Sequence, residues 1–145
     1  MKNGMPEYRF VEWFSADEIH ETIKLWQSEL DFIKDEQLFL NELVQIYAPQ
    51  LLEQSPFEKN QHVIAKLKEV EKDLTPLNKK VQIHKDQIGI MMDTIDQLKL
   101  EKAYVQTHKE LLSAMKLYSQ NYRRIKGELF KIISLGMNKN KRLLG

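Results

Sequence analysis

Cysteine is absent from this sequence. Its absence excludes disulfides, thiolate metal sites and a cysteine nucleophile, and it fits a reducing compartment. Glycine and proline are scarce, at five and four of 145 residues. There is no glycine-rich phosphate loop, no nucleophile elbow and no His-Glu-x-x-His helix, so the usual signatures of an enzyme are missing. No apolar run approaches the roughly 18 to 20 residues needed to cross a bilayer. The opening MKNGMPEYRF carries charge and aromatics where a secretory signal needs an unbroken apolar stretch. The expectation is a soluble, cytoplasmic, non-enzymatic protein without a cofactor, and the length suits one domain with a single core.

A net charge of one sign is also nearly absent, at +1, yet the balance hides a gradient. Residues 1–60 carry 5 basic and 12 acidic side chains, residues 61–120 carry 10 and 8, and residues 121–145 carry 7 and 1. An acidic first helix lying beside a basic last one accounts for this without a partner; a partner for the basic end is the other account.

What the sequence has in abundance is helical periodicity. From Val63, steps of four and three give Leu67, Val70, Leu74, Leu77, Val81, His84, Ile88, Met91, Ile95 and Leu98. This is the seam of a helix buried against other helices. A similar ladder precedes it: Ile19, Ile23, Trp26, Leu30, Ile33, Gln37, Leu40, Val44 and Tyr47. A third follows: Tyr104, His108, Leu111, Met115, Tyr118, Tyr122, Ile125, Leu129 and Ile132. The third is out of phase with the second, so the register breaks between about 93 and 103. A tight turn, with Asp93, Thr94 and Asp96 as candidate caps, is preferred over a stammer in one long helix.

Local chemistry places the ends. Ser15-Ala16-Asp17-Glu18 is a capping box, and Ser55-Pro56-Phe57-Glu58 repeats the start signal with proline at the first helical position. Pro49 predicts the end of the first helix and Gly136 the end of the third. The second seam passes through Pro76 in register, which predicts a kink there and not a loop. The predicted fold is all-α: an elongated, coiled-coil-like, three-helix up-down-up antiparallel bundle over 15–136. Its helices lie at about 16–48, 56–93 and 97–135. An aromatic arm (1–14) precedes it and a short basic tail (137–145) follows.

Folding the second and third helices around residue 96 pairs His84 with His108. Folding the first and second around residue 52 brings His20 to the same level. Three imidazoles in one layer could bind a divalent ion, with Asp17 or Asp86 as a further ligand, or act as a pH sensor. They could equally be a buried polar layer that fixes helix register. Tyr8, Phe10, Trp13 and Phe14 form either an arm folded onto the bundle or a docking segment for another chain. The tyrosines at 104, 118 and 122, with Met115, read as a core stripe with hydroxyls reaching outward, or as a groove for a partner helix.

The function expected from these features is that of a small scaffold, adaptor or chaperone-like protein, acting through contact with a protein partner or by self-association. One alternative is a metal- or pH-responsive bundle using His20, His84 and His108. Another is a nucleic-acid or ribosome-associated protein. It would use Arg123, Arg124, Lys126, Lys131 and the tail residues Lys139, Lys141 and Arg142.

Overall fold

A computed structural model of the chain describes residues 16–53, 56–92 and 97–144. Three helices fill these ranges: α1 is Ala16–Glu53, α2 is Phe57–Met92 and α3 is Gln97–Leu144. They form a three-helix bundle, with no strand among the described residues. α1 begins at Ala16, and α2 begins at Phe57, one residue after Pro56, which was expected at the first helical position. Asp17 and Glu18 lie in the first turn of α1, at the positive end of its dipole. The N–H of Asn60 donates to the carbonyl of Pro56 at 3.2 Å, a helical bond that places Pro56 just outside α2. Ser15, Ser55 and the proposed caps at 93–96 lie outside the described residues.

Two helix ends differ from expectation. Pro49 lies inside α1, which continues to Glu53, and Gly136 lies inside α3, which continues to Leu144. The segment expected as a basic tail is therefore helical up to Leu144. Proline removes one helical hydrogen bond, to the carbonyl four residues back. Pro49 and Gln45 are both exposed, so water can take up the carbonyl that the proline leaves unpaired. Leu51, only 1% exposed, holds the added turn down. Pro76 likewise lies within α2, with Pro76 and Lys72 on the exposed side.

The three seams are the core. Ile19, Ile23, Trp26, Leu30, Ile33 and Leu40 of α1 are buried. So are Val63, Leu67, Val70, Leu74, Leu77, Val81 and Ile88 of α2, and Leu111, Met115, Tyr118, Tyr122, Ile125, Leu129 and Ile132 of α3. Val44, Tyr47 and Tyr104 are half-buried, and the side chains of Met91, Ile95 and Leu98 lie outside the described ones.

Packing divides the chain into two groups, each drawing on all three helices. The first joins the described residues up to Asp31 with Thr75–Lys116. In it the Gln27 amide donates to Gln82 Oε1 at 2.9 Å, and Gln82 in turn bonds Asp86. The second joins Phe32–Leu74 with the described residues from Leu117 onward. There Asn60 Nδ2 donates to the Leu51 carbonyl at 2.8 Å, tying the start of α2 to the end of α1.

Candidate functional site: buried polar layers

Position 84 of α2 and position 108 of α3 both fall on seams, so both imidazoles point into the first group's core. His84 Nε2 lies 3.1 Å from His108 Nδ1, one nitrogen donating and the other accepting. Their exposures are 1% and 0%, which makes this a fully dehydrated pair. The rings are tilted by 31° with centroids 5.3 Å apart. On its other side His108 stacks on Trp26 of α1, centroids 4.8 Å apart and planes within 20°. Burial lowers the pKa of both imidazoles. For His108 the charge of His84 adds to that effect, and its pKa falls to about 4. At neutral pH the pair is uncharged.

The expected pairing of His84 with His108 is thus present, whereas the partner from α1 is Trp26 and not His20. The cause is the misplaced end of α1. Because the helix continues through Pro49 to Glu53, the connection comes later than residue 52, and later residues of α1 reach this level: Gln27 bonds Gln82 and Trp26 stacks on His108. His20 is half-buried, its Nδ1 without a hydrogen-bond partner among the described residues. No group of three His, Asp or Glu side chains among the described residues is arranged to hold a metal ion.

The second group has its own polar layer, which the sequence did not announce. Gln37, the polar step in the first ladder, donates from Nε2 to the Tyr118 hydroxyl at 3.2 Å. Tyr118 donates to the Val70 carbonyl at 3.0 Å, so one hydroxyl links α1, α2 and α3. One turn on, Tyr122 donates to Glu36 Oε1 at 2.5 Å, and Lys126 Nζ reaches the same oxygen at 2.9 Å. The two tyrosine rings stack at 6.5 Å, and Lys126 Nζ sits 5.5 Å from the Tyr122 ring centroid. Burial alone would raise the Glu36 pKa. The hydrogen bonds from Tyr122 and Lys126, with the lysine's charge, outweigh it and leave the pKa lowered. Burial pushes Tyr118 up to about 12, against the opposing bond from Gln37, and raises Tyr122 further through burial and its bond to the carboxylate. The hydroxyls of Tyr118 and Tyr122 therefore turn inward to named acceptors, not outward to water.

The Glu36–Lys126 ion pair joins acidic α1 to basic α3, as the charge gradient suggested. A shallow, open depression in the same group is lined by Asp73, Leu117, Tyr118, Gln120, Asn121 and Arg124. Tyr8, Phe10, Trp13 and Phe14 lie outside the described residues, as do the side chains of Lys139, Lys141 and Arg142, although these last three belong to α3. No helix among the described residues is long and apolar enough to cross a membrane.

The surface adds a feature that the ladder reading passed over. Phe32, Phe39 and Ile46 of α1 are 62%, 53% and 67% exposed, one heptad apart. Phe130 and Met137 of α3, again one heptad apart, are 40% and 48% exposed. Contiguous apolar patches on an outer face are where interaction surfaces are found when they are large enough. No protein-family model, curated protein or solved structure matches the chain.

Proposed function

We propose that the chain is a small, non-enzymatic helical interaction protein, a scaffold, adaptor or chaperone-like partner, working through protein–protein contacts in the cytoplasm. The up-down-up course of its helices belongs to this reading. The observation that carries it is the repeat of Phe32, Phe39 and Ile46 along the outside of α1. These residues lie off the buried seam, and a bundle with no partner has nothing to gain from three large apolar groups in water at seven-residue spacing. The polar layers support the same reading. Gln37 and Tyr118 spend their hydrogen bonds on each other and on the Val70 carbonyl, and His84 pairs with His108, as residues that fix helix register do. The cysteine-free composition fits the cytoplasmic setting.

Site-directed photocrosslinking tests the reading. A benzophenone amino acid at position 39 is expected to give discrete adducts with a polypeptide in native cells. The same probe at position 72, an exposed site on α2, is expected to give none. Equal labelling from both positions, or none from either, would refute it.

A further inference from the structure

The two imidazoles at the centre of the first group are badly placed to take a proton. His84 Nε2 and His108 Nδ1 face each other at 3.1 Å, and His84 Nδ1 is buried with no hydrogen-bond partner among the described residues. An N–H buried without an acceptor is the costlier state, so in the neutral pair His84 donates from Nε2 and keeps Nδ1 bare. A proton added to His84 would sit on Nδ1, where nothing accepts from it. A proton added to His108 would sit on its own Nδ1 and set two donors face to face. Either way the dry core gains both a charge and an unpaired donor.

Burial outweighs any counter-charge around the pair. On α1 the layer is met by Trp26, whose indole N–H is a donor and offers no acceptor. The ionisable groups flanking the layer are His20, Lys24 and Glu29 of α1, Lys80, Lys85 and Asp86 of α2, and Lys109 and Glu110 of α3, all outside the buried seam. Asp86 accepts from Gln82. Burial is what acts on His84, and burial with the charge of His84 on His108.

From this arrangement we infer that the pair is an acid-operated catch, which in mild acid opens the first group and leaves the second closed. The opened form takes up the protons that the closed core refuses, so acid draws the first group toward it. Among the described residues the second group has no buried histidine. Its His62 is exposed, and its buried polar side chains Gln37, Asn60, Tyr118 and Ser119 gain no charge in that range. Glu36 stays ionised there, since its pKa is lowered. Phe32, Phe39 and Ile46 belong to the second group, so their apolar row stays in place while Ile23 and Trp26 are uncovered.

Amide hydrogen exchange on the full chain at pH 7.5 and 5.0 provides the test, expressed as protection factors so that the intrinsic pH dependence of exchange drops out. In the first group, over residues 19–31, 77–90 and 104–116, protection is expected to fall by about tenfold or more. In the second, over residues 33–52, 60–74 and 117–136, it is expected to fall by less than about threefold. Equal loss in both groups would mean that acid unfolds the chain as one unit, and unchanged protection in the first would mean that the pair does not respond; either overturns the inference. A variant combining His84→Leu with His108→Phe should keep its protection at pH 5.0. If that variant has lost far-UV helicity at pH 7.5, His84→Gln takes its place: the amide donates to His108 Nδ1 as the ring does and takes up no proton, so the acid effect should shrink. An effect of full size in the variant would overturn the inference as well.

Discussion

The His108 ring lies flat against the Trp26 indole while its Nδ1 faces His84 Nε2 at 3.1 Å. Two imidazoles in a dry core stay neutral, and the folded pKa of each lies below its ordinary value of 6.5. The unfolded chain consequently binds more protons as pH falls. The stability held above about pH 6.5 is lost as the pH drops towards the folded value of about 4 for His108. His108 alone sets a limit of about 3 kcal/mol for that loss. Urea denaturation at pH 7.5 and 4.5 should show it, and a variant combining His84→Leu with His108→Phe should lose less stability across the same interval.

Tyr118→Phe and Tyr122→Phe should separate in cost. The first leaves the buried Gln37 amide without its acceptor and is expected to cost about 1–3 kcal/mol. The second leaves Glu36 still bonded to Lys126, so it should cost less. Gln37→Leu removes the amide together with its need for a partner, and Tyr118 keeps the Val70 carbonyl. That variant should equal or exceed the wild type in stability. Chemical denaturation of the three proteins gives the ranking; the reverse order would refute the account of this layer.

Asn60→Ala removes the donor that meets the Leu51 carbonyl in a buried setting. An expected cost of about 1–3 kcal/mol follows from the unpaired carbonyl at the end of α1. Amide exchange should quicken first over residues 48–53, ahead of the rest of α1.

Pro76→Ala restores a donor four residues after Lys72 on an exposed stretch of α2. The urea midpoint should rise, because the helix regains a bond and no core contact is lost. An unchanged or lowered midpoint would mean that the proline's restriction of the unfolded chain outweighs the missing bond.

The fold was legible because a buried seam is a strong, repeated signal. The ladder residues from Ile19 to Leu40, Val63 to Ile88 and His108 to Ile132 point into the core one after another. Gly136 misled because it is buried inside a continuing helix and not placed as a cap; Pro49 misled because its local preference to stop a helix costs a few kcal/mol at most, and packing of Leu51 overrides it. That error alone displaced His20 from the histidine layer, since the pairing level depends on where α1 turns. The link from Gln37 to Tyr118 joins positions 81 residues apart, which no periodicity reports. The Phe32, Phe39 and Ile46 row was readable in principle, as a second seven-residue repeat beside the first. A search for one seam per helix passes over it.

The tie between Asn60 and Leu51 spans nine positions, whereas the Tyr122 to Glu36 bond spans 86. Closing the short loop costs far less chain entropy, so the α1–α2 corner should nucleate and α3 should dock afterwards. Stopped-flow refolding would then show Asn60→Ala slowing the folding limb, while Tyr122→Phe chiefly quickens the unfolding one. On this expectation a single buried amide at the first corner of the chain sets the order of assembly.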